Sequence, residues 1–396
     1  MSFKSTRAAG FAVAILTVGL AATAAAHGND KPSARLDALD FGFKFASAIE
    51  TDPKGKGAAQ TGIVLAYLKR GEIEAAMRDA ANVEGWWRGV ALAEVAVKFA
   101  DEGRDDEARE LIRRAEEVRS TVNGWENPRI SSHIAHAHAL LGDVDRTRET
   151  AKKVAEEDSR EYTGQAVAAV AESLAEKGDY DRAMAELDVL EGDQELLTAW
   201  WRTSGYLAIA RKRDFTDQQR ANALEAAKSA AVAVPGWQRV DALRLVAEEL
   251  HALDRHAAAV ETLDTAESIF EPEEDQPGRP PTLLSELASS WARVGEEKRA
   301  RALLEEAEKS TQRLPVIDQP GLEARIAMAY MELGDEAAGR RTLDIALERA
   351  AKLTNARPRA LALVEICRQA GLYGLELSAA DRTRLDSLLA GLVAPW

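Results

Sequence analysis

The sequence predicts an all-α fold, an α-solenoid of about nine antiparallel helical hairpins. Three observations predict it. A turn marker recurs at Gly71, Gly103, Gly142, Gly178, Asp217, Asp254, Gly295, Gly334 and Gly374, at spacings of 32 to 41 residues. Small residues keep a fixed distance from it. Ala96, Ala135, Ala171, Ala210, Ala247, Ala288, Ala327 and Cys367 stand seven residues before a marker, and only Val64 departs. Ala76, Ala108, Ala183, Ala259, Ala300 and Ala379 stand five residues after one. The composition agrees: 46% hydrophobic residues can build a long core, and 6% aromatics with abundant alanine, leucine, glutamate and arginine favour helix. Self-similarity at such a period is the mark of stacked hairpins, each burying its apolar face against the next.

The elements follow in order. Lys4 and Arg7 precede the apolar run Phe11 to Ala26, which ends in Ala24-Ala25-Ala26. This is the pattern of a cleaved export signal over residues 1–26, with His27 as the mature start; the run is short for a spanning helix. The chain is therefore expected to be exported, to the periplasm or outside the cell, with no membrane insertion after cleavage. Residues 27–54 form a lead-in segment, with a helix from Leu36 to Ile49 carrying Leu36, Leu39, Phe43 and Ala46 at helical spacing. Hairpins fill 55–270 and 283–396. Between them Glu271 to Thr282, EPEEDQPGRPPT, cannot continue a helix and reads as an acidic, proline-rich loop or a hinge. Cys367 is the sole cysteine, so no intramolecular disulfide forms and the residue is expected to be a buried small side chain.

Ala91 to Ala115 is the cleanest copy. Leu92, Val95 and Phe99 make one buried face before Gly103. Gly103 with Ala96, Ala108 and Ala115, Gly178 with Ala171, Tyr180 and Ala183, and Gly295 with Leu287, Ala288, Trp291, Ala300 and Ala307 resemble the tetratricopeptide repeat (TPR) family. The resemblance covers about residues 55–392. Several spacings exceed the family's 34-residue period, and the closing prolines are often missing. HEAT-like hairpins remain a competing reading. The resemblance implies a right-handed superhelix whose ligands lie in a concave groove lined by the first helix of each hairpin. Carried over by phase, that groove takes in Arg129, Ser132, His136, Gln165, Glu172, Arg211, Asp241, Arg244, Glu248, His251 and Arg293. Its mixed charge suits a peptide or protein partner with alternating charges.

One motif belongs to this chain. Arg88, Arg202, Arg239 and Arg359 each stand eight residues before the small seam residue, and Trp87, Trp201 and Trp237 lie just ahead of three of them. A cation at a helix N-terminus opposes the dipole. These residues are expected to be structural joints, each Arg pairing with a carboxylate of the preceding hairpin and each Trp wedged between hairpins.

Signs of bond chemistry are sparse. His133, His136 and His138 share one helix but lack the spacing of a zinc motif, so His138 is expected in the core and His133 and His136 are expected to be polar and partly exposed. His27 could chelate copper at a mature N-terminus, yet nothing else in the chain resembles such β-rich oxidases. Phosphate loops, a GxSxG elbow and a Cys–His nucleophile pair are absent from the sequence. A net charge of −15 opposes nucleic acid and anionic membranes as partners. The expectation is an exported interaction scaffold without catalysis, cofactor or metal. The alternative is an α/α-toroid enzyme acting on a glycan or cell-wall polymer, and a third reading is the superhelical part of a cell-wall lytic enzyme. A toroid brings the first and last hairpins together; an open solenoid keeps them apart.

Overall fold

The computed structural model describes residues 37–50, 52–156, 160–190, 198–269 and 279–393. The expected export signal and residues 271–278 of the acidic loop lie outside the described residues. Helices α1 (Ala38–Ser47), α2 (Pro53–Lys69), α3 (Ile73–Ala80), α4 (Trp87–Asp101), α5 (Asp105–Ser120), α6 (Glu126–Leu140) and α7 (Val144–Glu156) come first. They are followed by α8 (Arg160–Glu176), α9 (Tyr180–Asp188), α10 (Thr198–Ala210), α11 (Asp217–Ala233), α12 (Gln238–Ala252) and α13 (His256–Ser268). The chain continues with α14 (Pro281–Arg293), α15 (Glu297–Thr311), α16 (Gln319–Glu332), α17 (Glu336–Lys352), α18 (Ala356–Tyr373) and α19 (Ala379–Ala390). Among the described residues there is no strand, and no helix is long and apolar enough to cross a membrane.

Each hairpin is joined by the turn its marker supplies. Gly103 has φ 74°. The amide of Gly103 donates to the Ala100 carbonyl at 3.0 Å and that of Arg104 to Phe99 at 2.8 Å, so the carbonyls at the end of α4 are satisfied before α5 begins. Asp254 does the same at φ 59°, the one non-glycine with positive φ among the described residues. An aspartate tolerates this conformation better than most side chains. Asp217 does not. It opens α11, and the turn before it is built by Thr216, whose hydroxyl and backbone form a capping box with Gln219.

The small residues form the predicted seams. Ala96, Ala135, Ala171, Ala210, Ala247, Ala288 and Ala327 are buried, as are Ala76, Ala108, Ala183, Ala259 and Ala300 across from them. They let the paired helices α2/α3, α4/α5, α6/α7, α8/α9, α10/α11, α12/α13, α14/α15 and α16/α17 pack closely. Ala379 breaks the pattern: it is exposed. The helix that packs along α18 is α1, and α19 lies outside, tied by Arg384 to Asp344 at 3.2 Å with Leu385 buried.

The array therefore closes on itself. The first helices α2, α4, α6, α8, α10, α12, α14, α16 and α18 touch in an unbroken cycle, since α18 also packs on α2. Each second helix reaches its own mate and the next first helix; α1 does this too, with α18 and α2. The mutually touching helices must be the inner layer of a ring. The expected lead-in helix is the missing half of the ninth hairpin, and the open-ended array expected from the repeat period is a closed one. Glycines make this closing seam: a Cβ on Gly42 would lie 3.3 Å from that of Cys367, and one on Gly371 would run into Leu39. Cys367 is buried there, and burial, aided by Asp37, pushes its thiol up. Tyr67 donates to Asp40 at 2.9 Å, Arg70 to Asp37 at 2.8 Å and to the Gly371 carbonyl at 3.4 Å, and Arg357 pairs with Asp52 at 2.5 Å.

The joints between hairpins differ from expectation. None of Arg88, Arg202, Arg239 and Arg359 pairs with a described carboxylate. Arg239 donates instead to the carbonyl of Val234 at 2.7 Å, at the C-cap of α11. The negative end of the preceding helix dipole supplies the compensation that a carboxylate was expected to give. Trp87 and Trp201 do wedge between hairpins, each against a glycine of the preceding first helix. A Cβ on Gly57 or Gly164 would come within 2.9 Å of the respective indole. Trp237 is 49% exposed and wedges nothing.

Candidate functional site

The ring's inner face is built by register. The first helices carry ionisable residues two before the small seam residue: Glu94, His133, Glu286, Arg325 and Glu365. One helical turn on come His136, Glu172, Arg211, Glu248 and Arg368, and another turn on come Lys69, Asp101, Glu176, Arg293 and Glu332. Positions three and seven apart share one helix face. With the opposite faces taken by the seams, this face turns to the lumen.

These side chains link from hairpin to hairpin. His133 Nδ1 meets Glu94 Oε1 at 2.6 Å, joining α6 to α4. His136 Nε2 meets Glu172 Oε2 at 2.9 Å, and Ser132 donates to Gln165 at 2.8 Å, joining α6 to α8. Lys212 pairs with Glu176, and Arg211 with Glu249 at 2.6 Å. Arg244 holds Asp241 at 2.5 Å and Glu248 at 2.7 Å within α12. Glu248 also takes Ser290 at 2.6 Å and Arg293 at 2.7 Å from α14. Arg293 continues to Glu332 at 3.4 Å. Arg325 bridges Glu286 at 2.9 Å and Glu365 at 3.1 Å, and Arg368 holds Glu365 at 2.7 Å.

The belt runs from α4 to α18 and stops at α2. There Gly62 occupies the register position that carries an ionisable group on five other first helices, facing the aliphatic stem of Arg368 at 3.8 Å from its notional Cβ. Two turns on, Lys69 projects from the same face, exposed to the lumen and without an ion pair to any described carboxylate.

Titration behaviour follows from this crowding. Lys69 is pushed down to about 8, first by the surrounding protein and then by Arg368 and Arg244. Water reaches its side chain, yet the opposite wall of the ring is close enough to act on it. Burial pulls His136 down, but the Glu172 carboxylate outweighs it and raises it to about 9. Burial opposes ionisation of Glu365 too, and Arg368 and Arg325 override it, holding the carboxyl well below the usual range. Glu286 goes the other way: burial raises it more than Arg244 and Arg325 lower it.

Of the residues expected in the groove, His136, Glu172, Arg211, Asp241, Arg244, Glu248 and Arg293 lie on this belt, with Ser132 and Gln165 bridging two of its helices. Arg129 does not; its guanidinium lies 4.4 Å from the Trp87 ring centre, over the stacked Trp86–Trp87 pair. His251 sits at the hairpin turn against His256, its Nδ1 enclosed and unpartnered. His133 is buried in the belt, and His138 is buried and pulled down by burial. Phase counting missed Lys69, Glu94, His133, Glu286, Arg325, Glu365 and Arg368. The recurrence of ionisable groups two residues before the seam alanine was the signal for five of these.

No protein-family model and no curated protein matches the chain. Among solved structures it is similar to Ton1535 from Thermococcus onnurineus NA1, at 18% identity over 81% of this chain and 93% of that one, with a TM-score of 0.29. It is similar to a circular tandem repeat protein with novel repeat topology, at 16% identity over 90% and 94%, TM-score 0.23. A third likeness is to the APC/C hetero-tetramer Cut9-Hcn1, at 12% identity over 87% and 77%, TM-score 0.25. At TM-scores this low, function has to come from the site itself. The described residues form an all-helical array of repeated hairpins.

Proposed function

We propose that this chain is an exported interaction scaffold that binds an extended protein segment of mixed charge on the inner face of its ring, with no bond chemistry of its own. The reading rests on one observation: three register rows of ionisable side chains line the cycle of first helices, in interlinked pairs that end at the uncommitted Lys69. A partner's carboxylate can dock at Lys69 without breaking an internal pair, and further charges can exchange with the belt, as in electrostatically specified interfaces. Export is supported by Lys4, Arg7 and the apolar run ending in Ala24-Ala25-Ala26. Affinity capture from the exported fraction tests the reading, comparing wild type with Lys69→Glu and with Arg244→Gln/Glu248→Gln. Both variants should recover the specific partner at least about tenfold more weakly, with Lys69→Glu melting no lower than the wild type. Recovery of the same proteins in the same amounts by all three would sink it.

Ring closure is the feature that favours the second reading, a toroid enzyme acting on a glycan. A glycosidase needs two carboxylates about 5–10 Å apart across a substrate cleft. Here most of the belt carboxylates are engaged by Arg, Lys or His, and Trp87, Trp201 and Trp291 sit in seams. Release of reducing sugar from a cell-wall polymer, abolished by Glu286→Gln, would establish this second reading over the first.

A further inference from the structure

Of the four arginines that recur eight residues before the small seam residue, two have internal partners. Arg239 caps the Val234 carbonyl. Arg202 donates to the Tyr206 hydroxyl at 3.4 Å. Arg359 is half-buried, its Nε enclosed without a hydrogen-bond partner. Arg88 alone of the four is exposed, and it makes no side-chain hydrogen bond or ion pair with the described residues.

Arg88 lines two neighbouring surface pockets, the larger of them wide open to solvent. One, about 480 Å³, is lined by Ser47, Gln60, Asn82 and Glu84 among others. The other, about 270 Å³, has Leu92 and Val118 beside Arg114, Thr121 and Glu117, whose carboxylate is held by Arg113. The space exists because α3 has 8 residues where α5 has 16, so the chain leaves its helix early and walks round the gap from Ala81 to Trp86. Arg114 is uncommitted too. Its neighbour Arg113 takes both Glu110 at 2.6 Å and Glu117, leaving Arg114 with no ion pair to a described carboxylate. In the larger cavity the charges are already balanced, Lys56 holding Glu84 at 2.8 Å.

The geometry points to an oxyanion site in which Arg88 and Arg114 grip the carboxylate or phosphate group of a ligand. Guanidinium forks match such groups two oxygens at a time. The ligand's body extends past Arg88 into the larger cavity, whose Asn82 amide and Ser47 hydroxyl offer hydrogen bonds. Its volume is in the range of small-molecule sites. The site lies at the outer junction of the first hairpins and does not depend on the lumen.

Calorimetric titration of the full chain tests this with three probes: inorganic phosphate, a short peptide with a free C-terminal carboxylate, and the same peptide amidated. Saturable binding of phosphate or of the free-acid peptide is expected, weakened at least about tenfold in Arg88→Gln and in Arg114→Gln but unchanged in Arg109→Gln, an exposed arginine on the same helix as Arg114. Phosphate alone binding marks a small-anion site; the free-acid peptide binding while the amidated one does not marks a chain terminus. Because Arg88 is exposed, its variant should keep the wild-type thermal midpoint. No saturable binding by any probe, binding that survives in Arg88→Gln, or equal weakening in Arg109→Gln would each overturn the assignment.

Discussion

The hairpin α4/α5 and the hairpin α18/α1 do the same job with different means. In the first, mates are joined by a three-residue turn, and alanine meets alanine: Ala96 and Ala108 are both buried. In the second, the mates are separated by most of the chain. Glycine meets larger side chains, Gly42 against Cys367 and Ile63, and Gly371 against Leu39. A polar cluster fixes α1 on α2 and α3, with Tyr67, Arg70 and Arg78 converging on Asp37 and Asp40, and from it Arg70 reaches α18 through the Gly371 carbonyl. An ordinary hairpin is specified locally, by a turn and two small residues. The closing hairpin must be specified by shape and charge that no other pair of helices reproduces.

The comparison is broken most severely by starting the chain after Glu50. This removes Leu39, Phe41 and Phe45, all fully buried. At about 1.5–3 kcal/mol per large buried side chain, the loss exceeds what most single seams contribute. The expected outcome is a large drop in thermal midpoint and an increased radius of gyration in solution scattering, both restored by a synthetic α1 peptide added in trans. An unchanged radius would mean that α1 does not hold the ring shut.

A gentler version sets Gly371→Ala against Gly103→Ala. At Gly371 the new methyl collides with Leu39, an overpacking cost of about 1–3 kcal/mol. At Gly103 nothing lies within 4 Å, and the cost is the positive φ alone, about 1 kcal/mol. Denaturant midpoints of the two variants should rank in that order.

The belt offers a pH test. His136 is raised in the fold to about 9, so its imidazolium stabilises the ring fully below about pH 6.5, and this is lost as pH rises through about 9. Lys69 acts with the opposite sign: it is lowered to about 8, and its cost is relieved as pH rises above that value. Stability of the wild type should therefore exceed that of His136→Gln by about 1–3 kcal/mol near pH 6 and converge with it near pH 10. Parallel curves would show that the Glu172 pair does not govern the titration.

The smallest effect is at an ordinary joint. Arg239→Ala removes one hydrogen bond to the Val234 carbonyl, which water can partly replace, so a loss of about 0.5–1.5 kcal/mol is expected in thermal melts. No shift at all would make Arg239 a passenger.

Much of the hairpin architecture was legible because it is local. A residue that must adopt a left-handed turn is restricted to glycine and a few tolerant residues, and Asp254 shows that even the substitute was readable. Asp217 misled because the Thr216–Gln219 capping box solves the same problem without a left-handed residue. The inner face was half legible: phase found Arg244, Glu248 and Arg293, while variable repeat lengths threw off Arg129 and His251. Closure was not read, since it is the sum of small rotations per hairpin that no single segment records. One element did hint at it: the expected lead-in helix had no mate in the sequence.

The mate of α1 has consequences in time. The helix is the first described element to leave the ribosome, and its partner α18 is nearly the last. Every other hairpin can collapse as soon as its turn is made. Leu39, Phe41 and Phe45 must wait with their apolar faces uncovered until more than 300 intervening residues have been synthesised and stacked. Contacts of such high sequence separation form late and slowly. The last kinetic phase of refolding should therefore be the docking of the oldest part of the chain, and its speed should depend on how well the eight hairpins between have fixed the curvature that brings α18 round to meet it.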